Sequence, residues 1–404
     1  MKKVFLILAL LGSVLLPFSP AIANIIFLTF AGGIVIENSL KGKFPSKKDW
    51  KKLLILPSFF FLWALIGSLF SSYSTEGFHI VKKFIPFMVF SLAYLFASDS
   101  LKKKTPAYIS SGFIIGITGS ILFLLLKLVM NFNQSEENLM RIFSHQFTYF
   151  NFTNPLKTHP TYFSVWILLA NFFVFNSKKL KPYIKSILFG IFFTGMIFTM
   201  SRVGLFLYVL QILAVFFYLS KKWKKIYLSG AVLCLVLSVY LYKYQLSNFY
   251  LLQRFSIELA WDTDAENTGS EINNRVADDS RTARWSAIWQ TIQEKPLLGY
   301  GVGSEKNILE KTYAEHDLEV SLKRMYNTHN QYLFYILENG FLGLILFLSY
   351  FIINIILALK QRDLLVFSFI IGILMIFIFE NYMYRSMGFL TMALFLSFMR
   401  TSKR

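Results

Sequence analysis

The chain has 404 residues, 55% of them hydrophobic and only 16% charged, with 45 Phe and 21 Tyr. Soluble chains carry about a quarter charged residues, so composition argues against a globule surrounded by water. The net charge of +19 would suit a nucleic-acid partner if it lay on one solvated face, which its distribution along the chain excludes.

Apolar runs of about 17–25 residues separated by short basic clusters predict membrane helices, because hydrocarbon offers backbone amides no water to bond. No period-two alternation is present, which argues against an outer-membrane barrel. Spans are expected near 4–16, 21–36, 53–70, 80–97, 107–130, 160–176, 183–200, 203–219, 226–244, 332–359, 363–380 and 386–400, about twelve in all. The fold class expected is therefore all-α, a polytopic transmembrane bundle with one large, partly helical extracytoplasmic loop between spans nine and ten. Residues 1–244 would hold spans one to nine, 245–331 the loop, and 332–404 the last three spans. Lys2-Lys3, an apolar stretch and Ala21-Ile22-Ala23 follow the order of a cleaved signal peptide. Cleavage after Ala23 would truncate the second run, so an uncleaved first helix is expected.

With a cytoplasmic N-terminus, the inner segments hold 24 of the 41 Lys and Arg residues. The short outer segments hold Lys82, Lys83, Arg141, Lys157, Arg202 and Arg385. This asymmetry follows the positive-inside rule and puts both termini in the cytoplasm. The long loop carries nine basic against thirteen acidic residues, 9 − 13 = −4. The positive charge is thus a topology signal, and no nucleic-acid partner is expected. Cys234, the one cysteine, falls within the ninth span and has no second thiol to pair with.

The loop changes character along its length. Residues 258–280 are polar and rich in Asp, Asn and Gly. From Arg281 the spacing of Trp285, Ile288, Trp289 and Ile292 predicts an amphipathic helix, which Pro296 stops. Gly299-Tyr300-Gly301-Val302-Gly303 predicts a flexible turn, and a second helical stretch is expected over 304–325. The whole suggests a lid lying on the outer membrane surface.

Candidate chemistry gathers at the outer boundary. Arg202, in Thr199-Met200-Ser201-Arg202-Val203-Gly204, is either a turn arginine snorkelling to headgroups or a clamp for an anionic headgroup, with Ser201 capping the next helix. Arg281 and Arg284 lie one turn apart. They form either a solvated face, paired with Asp278 and Asp279, or a second phosphate grip. His329 lies where the loop re-enters the membrane. An N-cap at Asn327 or Thr328 would place it in the first helical turn, where the dipole favours a neutral ring able to accept a proton. The alternative is a hydrogen-bonded structural histidine. Glu380 and Arg385 bracket the last outer turn, as a functional pair or a local ion pair. His79, His145, His159 and His316 show no metal-ligand spacing. There is no Walker loop, no Gly-x-Ser-x-Gly and no nicotinamide fingerprint.

In order and setting these elements resemble the O-antigen ligase and O-antigen polymerase superfamily, bacterial membrane enzymes acting on polyprenyl-diphosphate-linked glycans. Thr199 to Gly204 looks like the family's Ser-Arg-x-Gly element. Arg281 with Trp285, Pro296 and Gly299 to Gly303 looks like its loop signature. His329-Asn330-Gln331-Tyr332-Leu333, with Glu338-Asn339-Gly340 and Gly343, looks like its entry to the tenth span. The resemblance implies His329 as catalytic base and Arg202 with Arg281, or Arg284 in its place, as diphosphate-binding residues. Ser201, Asn330, Glu380 and Arg385 are expected as supporting residues. It implies transfer at the outer face of the cytoplasmic membrane without metal or cofactor, from a polyprenyl-diphosphate glycan to a glycan or lipid acceptor. Flippase and chain-length-regulator proteins are the expected partners, besides membrane lipids. Polymerase and ligase stay open, with a lean to polymerase because nothing in the loop suggests a dedicated site for a lipid-A core. A transporter of lipid-linked sugars is the alternative; it would favour two related halves and Gly- or Pro-broken spans.

Overall fold

The computed structural model of the chain describes residues 1–45, 47–218 and 279–399, with no strand among them. The predicted ninth span with Cys234, the polar stretch 258–278 and the terminal Arg400, Lys403 and Arg404 lie outside the described residues. The helices are α1 (Lys2–Leu15), α2 (Pro20–Leu40), α3 (Lys47–Leu69), α4 (Ser74–Phe96), α5 (Asp99–Gln134), a short α6 (Phe150–Thr153), α7 (Pro160–Asn176), α8 (Pro182–Thr199) and α9 (Arg202–Tyr218). The rest of the described chain adds α10 (Arg281–Glu294), α11 (Glu305–Glu315), α12 (Glu319–Arg324), α13 (Gln331–Lys360), α14 (Leu364–Phe377) and α15 (Ser386–Phe398).

Each apolar run within the described residues is helical where the sequence places it. Five helices, α2, α4, α5, α8 and α13, are long and apolar enough to cross a membrane. Their outer faces carry large apolar side chains such as Ile25 (64% exposed), Leu126 (60%) and Ile345 (61%). Apolar surface on this scale is costly in water and neutral in lipid. One boundary differs in a way that matters. α4 begins at Ser74, with Glu76 in its first turn, and runs unbroken through Gly77. Lys82 and Lys83 therefore lie well inside the helix rather than at its start near residue 80.

The chain forms two compact units, Met1–Phe113 with Trp261–Arg404, and Ile114–Ala260. In the second, α7 packs on α8 and α9. A Cβ at Gly204 would lie 2.5 Å from Ser164 Oγ, so glycine permits the close approach of α9 to α7. Asn171 Nδ2 donates to Gln211 Oε1 (3.1 Å), and Gln211 Nε2 to the Leu168 carbonyl (2.9 Å), joining the same two helices.

In the first unit α3, α4 and α15 pack together around aromatic rings: Phe60 on Phe84 (4.8 Å between centroids) and Phe84 on Phe389 (4.6 Å). The loop helices close a separate small core. Ser280 Oγ caps α10 by accepting from Ala283 N–H (3.0 Å). Ala287, Ile288 and Ile292 are buried against Ile308, Leu309, Tyr313 and Leu318, and against Ile336 and Leu337 of α13. The apolar stripe of α10 is thus consumed within the protein rather than laid on a bilayer surface. The first turns of α13 supply the apolar partner that a lid on lipid would have found in the membrane. Only Trp289, 42% exposed, faces outward from the stripe.

α13 is interrupted at Gly340, whose φ of 63° and ψ of −173° are essentially open only to glycine. The break frees backbone groups on both sides, and the segment after Pro296 takes them up. Tyr300 N–H donates to the Leu337 carbonyl (2.8 Å) and Gly301 N–H to the Glu338 carbonyl (2.9 Å). In return Phe341 N–H donates to the Pro296 carbonyl (2.8 Å) and Leu342 N–H to the Leu297 carbonyl (3.3 Å). The expected flexible turn is therefore a docked segment. A Cβ on Gly340 would collide with the Leu297 carbonyl, and one on Gly303 with the Gly77 amide of α4. Gly340→Ala should cost about 1–3 kcal/mol from backbone strain alone, lowering the melting temperature of the detergent-purified chain. An unchanged melting temperature would mean that the break is not required.

Candidate functional site

His329 stands in the short connection from α12 to α13. Asn330, not Asn327 or Thr328, caps α13: its Oδ1 accepts from Tyr332 N–H (2.9 Å) and Leu333 N–H (3.1 Å). His329 therefore precedes the cap and is not in the first turn, which removes the first-turn dipole as a control on its ring. The two rejected caps are engaged elsewhere. Asn327 Oδ1 accepts from His329 N–H (3.0 Å), holding His329 in a left-handed conformation with φ of 44°.

Thr328 is clamped through each of its polar groups. Its N–H donates to Glu305 Oε1 (3.1 Å), and its Oγ1 lies 3.1 Å from the same oxygen. Asn381 Nδ2 donates to Thr328 Oγ1 (2.8 Å) and to Glu305 Oε1 (3.0 Å). The Thr328 carbonyl accepts from Trp285 Nε1 (2.9 Å). Glu305 is itself held, since its N–H and that of Gly303 donate to Glu338 Oε1 (3.3 and 2.9 Å). Burial raises the Glu305 carboxyl to about 7, against the opposing effects of the bonds from Thr328 and Asn381 and the charge of Lys83.

The His329 ring lies between a carboxylate and a phenol. Nδ1 is 3.6 Å from Glu380 Oε2, and the Tyr326 ring meets the imidazole edge-on with centroids 5.9 Å apart. Tyr326 also receives Arg284, whose guanidinium carbon lies 4.9 Å from the ring centroid. Arg284 is 3% exposed, donates from Nε to the Ser280 carbonyl (3.3 Å), and has its pKa lowered by burial. Arg281 sits 6.0 Å over the Trp285 ring, whose Nε1 holds Thr328. Both arginines thus reach the histidine connection through one aromatic ring each. Asp279 is committed to α12, accepting from Ser321 N–H (2.7 Å) and bonding its hydroxyl. Asp278 lies outside the described residues.

The remaining expected residues fall as follows. Arg385 precedes α15, and its carbonyl accepts from Gly388 N–H (3.0 Å). Arg202 opens α9 in the other unit, where Ser201 Oγ caps that helix by accepting from Gly204 N–H (3.3 Å). Among the described residues no group of three His, Cys, Asp or Glu side chains is placed to hold a metal. Glu305, Tyr326 and Asn381 were not singled out as site residues from sequence. Glu305 offered only the signal of an acid in a helix's first turn, because its partners lie 23 and 76 residues away.

Residues 187–348 match the family model described as O-Antigen ligase. This segment is similar to the O-antigen ligase family. The matched segment includes Arg202, Arg281, Arg284 and His329, and the family points to a glycosyl-transfer role in polysaccharide biosynthesis. Together with the long apolar helices it makes the chain a multi-pass membrane protein. Comparison with curated proteins finds no match.

The raised Glu305 carboxyl has a pH consequence. Its folded value lies above the ordinary 4.5, so its contribution to stability is full below about 4.5 and is lost as pH rises through about 7. The melting temperature should fall by several degrees between pH 5 and 8. Glu305→Gln, which keeps an oxygen for Thr328 and Asn381, should flatten that slope. An equally steep slope in the variant would remove Glu305 as its source.

Proposed function

We propose that this O-antigen ligase-type chain transfers a glycan from a polyprenyl-diphosphate carrier to a hydroxyl acceptor at the outer face of the cytoplasmic membrane. The observation that carries this reading is the gathering of Arg281, Arg284, His329 and Glu380 around Tyr326 and Thr328. The basic residues of the inner segments support cytoplasmic termini and an outward-facing loop.

In this reaction His329 takes the proton of the acceptor hydroxyl, and that oxygen attacks the anomeric carbon. The bond from that carbon to the diphosphate oxygen breaks, and its electron pair leaves on the diphosphate. Arg281 and Arg284 supply fixed positive charge for the leaving group, while a phosphate-binding role for Arg202 rests on the family resemblance alone. Such charge does the work that a divalent ion does elsewhere, so the reaction is proposed to need neither metal nor cofactor. Glu380 faces Nδ1 and would orient the ring, leaving Nε2 for the acceptor. Asn330 supports His329 by capping α13, while supporting roles for Ser201 and Arg385 rest on the family resemblance. Flippase and chain-length-regulator proteins would be working partners.

We favour a polymerase over a ligase, since nothing in the loop suggests a dedicated lipid-A core site. His329→Ala should lower transfer by about 10²–10⁴-fold while the chain still inserts in the membrane; full activity would sink the assignment. Deleting the gene and displaying surface glycans on a gel separates the two activities. Single capped repeat units indicate a polymerase, and long chains kept on the carrier lipid indicate a ligase.

A further inference from the structure

Beside the histidine connection lies a second feature that the transfer chemistry leaves unused. A cleft of about 150 Å³ opens between α11, residues 325–327 and the outer turn, lined by Lys306, Glu310, Tyr313, Tyr326, Asn327 and Tyr384 among others. It is smaller than the ~300–1,000 Å³ of sites for drug-sized ligands, and on the scale of one ring. Lys306 and Glu310, like Leu309 and Tyr313, are four residues apart on α11, so one helix face supplies this wall.

Tyr313 is the informative residue. It is 1% exposed, lines the cleft, and its hydroxyl has no hydrogen-bond partner among the described residues. A buried hydroxyl without a partner is costly, and native proteins rarely leave one without cause. Burial also pushes this phenol upward, so it stays protonated and able to donate.

We propose that this cleft is a subsite for one pyranose ring of the acceptor glycan, a reading that rests on the glycosyl-transfer function assigned to the neighbouring loop. The chemistry of the lining suits a sugar. Tyr326 and Tyr384 (41% exposed) offer aromatic faces to apolar C–H surface. The Tyr313 hydroxyl, the Asn327 amide and the Glu310 carboxylate offer donors and acceptors to ring hydroxyls. Lys306 and Glu310 on the same wall offset each other's charge, so the lining suits a neutral ring rather than the donor diphosphate. Tyr326 is shared: it lines the cleft and touches the His329 ring, so a sugar held here lies beside the base that would deprotonate it.

The test uses the full chain in detergent micelles, with the methyl glycosides of glucose, galactose and N-acetylglucosamine as probes. Saturation-transfer NMR should show contact with at least one of them. Tyr313→Phe, which removes only the hydroxyl, and the exposed Glu310→Gln should each weaken that binding about threefold to tenfold. No contact with any glycoside, or binding unchanged in both variants, overturns the subsite. The two readings fail separately. Glycan transfer by a chain that binds no glycoside removes the subsite alone. Glycoside binding of the expected sensitivity, in a chain that transfers nothing, supports a sugar site and removes the transfer reading.

Discussion

Backbone groups in and near a bilayer must find partners within the protein, and the break of α13 at Gly340 makes that constraint acute. Four hydrogen bonds between residues 296–301 and the two sides of the break repair it. From this one docking the rest of the loop follows. The Glu338 side chain, two residues before the break, accepts from the Gly303 and Glu305 N–H groups, which fixes the start of α11. Glu305 in turn holds Thr328, and Thr328 sets the backbone leading into His329. A continuous sequence of short bonds therefore runs from a helix interruption to the histidine. A residue far from the chemistry, such as Gly340 or Gly303, is coupled to it through geometry that glycine alone can adopt.

Much of the fold was legible in the sequence. Hydropathy runs long enough to cross a bilayer leave few alternatives to a helix, and α7 and α10 begin where Pro160 and Ser280-Arg281 place them. The interruption was not legible, because a glycine within an apolar run is ordinary in membrane helices. The cap was ambiguous for a physical reason. Asn327, Thr328 and Asn330 are all good capping residues, and the choice falls on Asn330 because the side chains of the other two are bound to His329 N–H, Glu305 and Asn381. The lid expected on the membrane surface had the right helix and the wrong partner. Period-3.6 spacing identifies an apolar face, but not whether lipid or protein covers it.

Among candidate site residues, those in short motifs were found and those acting across long separations were not. Arg281, Arg284 and His329 announce themselves by residue type at the membrane boundary expected from sequence. Tyr326 and Glu305 gain their meaning from contacts with α10, α13 and the outer turn, which no local spacing encodes. Asn381 shows the intermediate case. It was visible between Glu380 and Arg385, but its use as a clamp on Thr328 required the tertiary contact.

A Gly-broken helix is also what a transporter of lipid-linked sugars would use, with the break lining a path for its cargo. Here the break is filled by the protein's own backbone, and the polar side chains gather instead around His329 ahead of α13, which favours chemistry over passage. The most direct measurement places the purified chain in liposomes with a synthetic polyprenyl-diphosphate oligosaccharide and follows glycan length and free polyprenyl diphosphate together. Glycosyl transfer predicts longer or transferred glycan with one polyprenyl diphosphate released per bond formed, unaffected by EDTA. Movement of intact lipid-linked oligosaccharide between leaflets, with no diphosphate released, would contradict it.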